Sequence, residues 1–75
     1  MNVFYIAEIV LFPVDYTLQG FMLCDGSLQD IAKYPALYVA IGTNFGGDSF
    51  RTFAVPNLPA PAVGMSYQIR HEGYF

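Results

Sequence analysis

Ile41-Gly42-Thr43-Asn44-Phe45-Gly46-Gly47-Asp48, followed shortly by Thr52-Phe53-Ala54-Val55-Pro56-Asn57-Leu58, is the stretch whose reading decides the fold. Gly42 is placed to end a helix in a left-handed conformation. Behind it, residues 34–41 read as that helix. Pro35 suits the first turn, where its missing N–H costs nothing. Leu37, Ala40 and Ile41 fall on one face at helical spacing, with Tyr38 beside them. About two turns are too short to stand on propensity, so this helix must rest on packing. Gly46-Gly47-Asp48-Ser49 reads as a turn. Residues 52–55 read as a short strand that Pro56-Asn57 breaks.

Outward from this centre the chain is β-rich. Residues 2–12 are dominated by Val, Ile, Phe and Tyr, which predicts a strand. Phe4, Ile6, Val10 and Phe12 share one side, and Val3, Tyr5, Ile9 and Leu11 share the other, with Glu8 the single charge. A strand apolar on both sides is expected to be covered on both. Pro13 ends it, and residues 14–20 read as a loop. Residues 21–24 predict a second strand, Asp25-Gly26 a tight turn, and Ser27-Leu28 the return strand of a small hairpin. Pro59-Ala60-Pro61-Ala62 reads as a stiff extended connector. Residues 65–75 predict the last strand, with Tyr67 and Ile69 on one face and Gln68 and Arg70 on the other. The chain closes on Tyr74-Phe75, an apolar end expected to dock.

The chain has 75 residues, enough for a single domain spanning 1–75. Hydrophobic residues make up 55% and charged residues 12%, so the surface left after folding cannot be mostly charged. Extended exposed apolar surface marks interaction sites, and the expected partner is another copy of the same chain. No membrane span is expected: the apolar run at residues 3–12 is interrupted by Glu8 and stopped by Pro13, and a spanning helix needs about 20 residues. No Lys or Arg precedes that run, so Met1 reads as a true start rather than the head of a signal peptide. Lys33, Arg51 and Arg70 are the only basic residues, against a net charge of −3. That balance argues against nucleic acid as a partner.

Chemistry-bearing groups are sparse. Cys24 cannot form an internal disulfide and sits in an apolar run, where it reads as a buried thiol. An intermolecular disulfide is the alternative. Ser27, Ser49 and Ser66 lack any nucleophile-elbow context, and a Cys24–His71 pair has no nearby cation to activate the thiol. Residues 42–47 lack the spacing and the Lys-Ser/Thr ending of a phosphate-binding loop. His71, with Glu72 beside it, offers no metal-ligand spacing within one chain, although a symmetric trimer would gather three copies. No catalytic, cofactor-binding or metal residue is therefore assigned. Asp15, Asp25, Asp30 and Asp48 fall in loops, where acids cap turns. Arg51 is expected to pair with Asp48 or Asp25.

The motifs occur in an order that resembles the phage tail collar domain of tail fibres and the related microcystin-dependent proteins. Ala7-Glu8-Ile9 with Leu11-Phe12 is similar to that family's opening strand, where the usual pattern is Gly-Glu-Ile. Gly20-Phe21-Met22-Leu23-Cys24-Asp25-Gly26 resembles its Gly-Trp-x-x-Cys-Asp-Gly segment. Phe45-Gly46-Gly47-Asp48 resembles its Tyr-Gly-Gly-Asp turn, and Thr52-Phe53-Ala54-Val55-Pro56-Asn57-Leu58 its Thr-Phe-Ala-Leu-Pro-Asp-Leu run. Tyr67-Gln68-Ile69 with Glu72-Gly73-Tyr74-Phe75 is similar to its closing strand. Phe21 replaces a Trp, Gln19 a Pro, and Pro59-Ala60-Pro61 the familiar Arg-Gly-Arg. The long variable segment before the closing strand is reduced to a few residues.

The resemblance implies a small β-rich α+β collar-like domain with one short helix and long ordered loops. It implies a non-enzymatic structural component without a cofactor, placed in a virion tail or at the cell surface. Combined with the composition, it predicts a homo-oligomer or filament assembled through the first and last strands. Other tail or surface proteins are further partners, and a carbohydrate- or cell-surface-binding adhesin is the alternative reading, its exposed Tyr and Phe stacking on glycan.

Overall fold

The computed structural model describes residues 5–73. The elements run β1 (Ile9–Phe12), β2 (Phe21–Leu23), β3 (Leu28–Asp30), α1 (Pro35–Ile41), β4 (Thr52–Ala54) and β5 (Ser66–Arg70). They form a three-stranded sheet, β1-β5-β2, and a two-stranded sheet, β3-β4. All pairings are antiparallel. The architecture is α+β, mostly short strands joined by long loops around one short helix.

The first strand begins later than its composition predicts. Residues 5–8 form a turn in which the Glu8 N–H donates to the Tyr5 carbonyl at 3.3 Å, and Ala7 has φ 72. Positive φ at the third turn residue is the mark of a type II turn, which favours glycine there. Ala7 N–H donates to the Arg70 carbonyl at 2.8 Å, and Arg70 N–H donates to the Glu8 carbonyl at 2.9 Å. Two residues thus face one, a β-bulge of the kind that places a left-handed residue first. The bulge stops regular pairing before Ile9. Residues 2–4 of the expected strand lie outside the described residues.

The last strand is central, not an edge. Ile9 faces Ile69 and Val10 faces Gln68 on one side of β5, while Met22 faces Ile69 and Leu23 faces Gln68 on the other. Both hydrogen-bonding edges of β5 are thereby used, so it cannot accept another strand. This corrects the expectation that the first and last strands both offer themselves for assembly. Strand geometry ends at Arg70; residues 74–75 lie outside the described residues.

The expected hairpin of residues 21–28 does not form. Gly26, at φ 78, directs the chain away from β2. Asp25 bridges to Asn57, Gly26 N–H donates to the Pro56 carbonyl, and Val55 N–H donates to the Ser27 carbonyl. These bonds deliver β3 to β4 instead. A strand of three residues takes its partner from such long-range bonds, which a local turn pattern does not encode.

The helix lies where the sequence places it. Tyr34 precedes it with φ −130, Pro35 opens it, and Gly42 ends it while donating its N–H to the Tyr38 carbonyl. Gly42 has positive φ but an extended ψ (58 and −145) rather than the left-handed helical pair. That region belongs essentially to glycine. Leu37 and Ile41, one turn apart, form the buried face, and Ala40 is exposed, contrary to expectation. The face closes on Met22, Cys24, Phe53, Val55 and Ile69, so one apolar cluster joins both sheets through α1. Each such side chain contributes about 1.5–3 kcal/mol by leaving water. Tyr38 adds a tilted ring contact with Phe53 at 5.7 Å.

The opposite face of β5 carries Ser66, Gln68 and Arg70, and it too is covered. Gln68 is fully buried. Its Oε1 accepts the Leu18 N–H, and its Nε2 donates to the Tyr16 carbonyl and to Ser66 Oγ. Ser66 Oγ donates in turn to the Val14 carbonyl at 2.7 Å. The loop after Pro13 is thus fastened across the sheet. Phe12 meets Phe21 edge-on at 4.9 Å, and the Arg70 guanidinium lies 4.3 Å from the Phe21 ring centre, 3.7 Å from Glu8.

Candidate functional site

Cys24, His71 and the three serines of the sequence lie apart in different structural settings. Cys24 is buried, and its thiol is pushed up to about 11, by burial first and by the neighbouring Asp25 second. A thiol held there is a poor nucleophile near neutrality. His71 packs edge-on against the Tyr34 ring at 5.0 Å. Ser27 Oγ accepts from Gln29 Nε2, Ser66 Oγ serves the Gln68 latch, and Ser49 sits at φ 63 in a turn. Among the described residues no three His, Cys, Asp or Glu side chains converge on a point.

Two acids act as turn locks. Asp25 Oδ1 accepts the Ser27 N–H at 3.0 Å. Its carboxyl lies below the ordinary range, chiefly through the Ser27 hydroxyl and then its backbone, with burial opposing. Asp48 Oδ1 accepts three backbone N–H groups, from Phe50, Arg51 and Thr52, at 2.9, 2.9 and 3.0 Å. Those bonds, Arg51 first, hold the carboxyl down to about 2. The expected tie between Asp48 and Arg51 exists, but through the Arg51 backbone. Among the described residues its guanidinium makes no ion pair, and the residue is exposed.

Gly47 makes that turn possible. It has φ 104, and a Cβ there would lie 2.5 Å from both Phe53 Cα and the Thr52 carbonyl oxygen. Backbone cannot yield to such a contact, so only glycine lets β4 close over the turn. The tip displays Phe50, 87% exposed, with Arg51 beside it.

The other features that could meet a partner are an edge and a cavity. The hydrogen-bonded pairs of β1 fall on Glu8, Val10 and Phe12, since the bond from Arg70 to Glu8 sets the alternation. The N–H and C=O groups of Ile9 and Leu11 therefore point away from β5. Among the described residues nothing pairs with them. Their side chains are 42% and 37% exposed, so β1 is not covered on both faces as its composition predicts. An open cavity of about 260 Å³ lies between the latched loop and residues 57–60. Leu23, Leu58, Met65 and Tyr67 make its apolar walls, and Asp15 and Asp25 stand at it.

A turn built around Gly47 and Asp48, a bulge at the position of Ala7 and the Asp25–Asn57 bridge fasten the same segments that carry the sequence motifs. The family model for the phage tail collar domain matches residues 7–63. The chain belongs to this family. No curated protein and no solved structure matches it. The collar family is a structural family of phage tails. The matched stretch ends before β5, yet in this collar domain β5 is the strand that joins β1 to β2. No helix among the described residues is long and apolar enough to cross a membrane.

Sequence reasoning missed Gln68 and the bulge. Gln68 follows the alternation expected of a solvent-facing strand side, and only the loop folded over that side buries it. The bulge did leave a trace: the family pattern has Gly where this chain has Ala7, and glycine is what φ 72 favours.

Proposed function

We propose that this collar domain is a non-enzymatic, self-assembling structural module of a phage tail, folded as one unit over residues 1–75. Its fold is the collar fold in a short form. The observation that carries the reading is the outer edge of β1. Among the described residues its backbone groups at Ile9 and Leu11 have no partner, and they are flanked by half-exposed apolar side chains. An edge without Lys, without an internal Pro and, among the described residues, without a covering loop is a template for strand addition. β5, the other strand expected to assemble, is already paired on both sides and contributes only by fixing β1.

A β1 edge meeting the β1 edge of another copy is its own partner, so this contact joins two chains symmetrically. The apolar composition supports the same reading, because Tyr16, Leu28, Val39 and Phe45 also remain exposed. Sedimentation velocity on the purified chain tests it. Species larger than one chain are expected at micromolar concentration, and Leu11→Lys, which sets a charge on the edge, is expected to reduce them. A monomer at every concentration overturns the reading.

A further inference from the structure

Phe50 and Arg51 form an apolar tip with a cation beside it, held out on a turn that has little freedom to move. Three hydrogen bonds to Asp48 fix the turn from inside, and a bond from Ile31 N–H to the Arg51 carbonyl at 2.9 Å fixes its exit. Gly47 lies in backbone contact with Phe53 beneath it. An aromatic ring 87% exposed on a rigid base has little entropy left to lose on docking. The cavity on the other sheet has the complementary composition: apolar walls from Leu23, Leu58, Met65 and Tyr67, with Asp15 and Asp25 in its lining and no basic residue. The Ser27 hydroxyl and backbone hold the Asp25 carboxyl below its ordinary value. Asp15 is carried there by the loop that Gln68 and Ser66 fasten at Val14 and Tyr16.

We infer that the Phe50–Arg51 tip of one chain enters the Asp15/Asp25 cavity of a second copy. The inference rests on the self-assembly reading above but names a different contact. Volume permits it: a closed apolar cavity of about 150 Å³ already holds a benzene ring, and this one measures about 260 Å³ and is open. Charge selects it. Lys33, Arg51 and Arg70 are the only cations of the chain. Arg70 is engaged with Phe21 and Glu8, and Lys33 lies 5.8 Å from the Tyr34 ring centre. Arg51 is the exposed cation whose guanidinium makes no ion pair among the described residues, and it has an aromatic anchor next to it. Aromatic and arginine side chains together are what the centres of protein interfaces favour.

Tip and cavity are different surfaces, so the contact is heterologous. It either closes as a ring or propagates as a filament. Alternating with a symmetric β1 contact, it would extend pairs into longer assemblies.

The test compares the intact chain with Phe50→Ala, Arg51→Glu and Asp15→Lys by sedimentation velocity, and follows the amides of Leu58, Met65 and Tyr67 by NMR on dilution. All three substitutions are at exposed positions and spare the Asp48 and Gln68 bonds. Each is expected to weaken the association beyond the β1 pair by about tenfold or more. Mixing Arg51→Glu chains with Asp15→Lys chains is expected to restore it in part, since the reversed charges meet at a mixed contact. The cavity amides are expected to shift with concentration in the intact chain and not in Phe50→Ala. If the chain associates but ignores all three substitutions, the tip contact is wrong while self-assembly stands. If Leu11→Lys alone leaves monomers and the cavity amides never respond to concentration, the tip contact is again wrong. Cavity amides that answer only to added sugars would assign the cavity to a glycan and overturn the inference. A chain that is monomeric throughout overturns both.

Discussion

Gln68 Oε1 accepts the backbone N–H of Leu18 at 3.0 Å across fifty positions of sequence. With the two bonds from its Nε2, to Tyr16 and Ser66, it fastens the loop that covers one face of the larger sheet. The same loop carries Asp15 to the cavity. A fully buried amide with these partners makes a polar network whose loss exposes several groups at once.

Gln68→Leu keeps the volume and removes the partners. The part-buried Leu18 N–H and Tyr16 carbonyl then lose their partner, at up to about 1–3 kcal/mol for each group left unsatisfied. A loss of about 3 kcal/mol is expected, out of a total stability on the order of 4–11 kcal/mol for a chain of this length. Urea unfolding measures it. A variant as stable as the parent would show that the loop does not depend on the latch.

Ala7→Gly is expected to stabilise. A left-handed conformation costs a non-glycine residue about 1 kcal/mol or more, and the added freedom of glycine in the unfolded chain returns part of that. The net gain should be about 0.5–1 kcal/mol, a rise in Tm of several degrees for a domain this small. A fall in Tm would mean that residue 7 does not hold positive φ in solution.

Acid is expected to loosen the turn that displays Phe50. The folded carboxyl of Asp48 lies near 2, below its ordinary 3.8. A depressed carboxyl contributes stability that is complete above the unfolded value and lost as pH falls through the folded one. The loss therefore runs from about pH 4 down to about pH 2. Asp25 is shifted the same way and adds to it. Asp48→Asn should flatten the dependence of Tm on pH in that window, and an unchanged slope would remove Asp48 as its cause.

Removal of residues 64–75 retains the whole stretch that matches the family, yet takes away β5. Among the described residues β1 and β2 pair only with β5, so both lose that partner, and the core loses Ile69. The shortened chain should show no cooperative unfolding transition by circular dichroism. A sharp transition would mean that the sheet can re-form without its central strand.

Much of this fold was legible because its signals are local. Pro35 and Gly42 bound the helix, Leu37 and Ile41 lie one turn apart, and Gly46-Gly47-Asp48 is a turn wherever it occurs. Pairing was not legible. Strands of three to five residues carry too few side chains to state a partner, so β3 went to β4 rather than back to β2, and β5 entered the middle of its sheet. Ala40 was misplaced because a helix of two turns leaves room for only two deep positions. The assembly surface was half legible: apolar composition in residues 2–12 pointed to β1, but the bulge at Ala7 and the central place of β5 decide which edge stays open. Asp48 takes up Arg51 for a reason no spacing rule contains, since the turn presents the Arg51 backbone N–H, with those of Phe50 and Thr52, to Asp48 Oδ1.

The most direct test of assembly through β1 is hydrogen–deuterium exchange of the Ile9 and Leu11 amides as a function of protein concentration. Both point away from β5 and have no partner among the described residues, so in dilute solution they should exchange far faster than those of Val10 and Ile69. On concentration into the micromolar range and above, both should slow together, and Leu11→Lys should abolish the slowing at Ile9. Exchange at Ile9 and Leu11 that stays fast at every concentration, in a chain shown to be folded, would contradict the account.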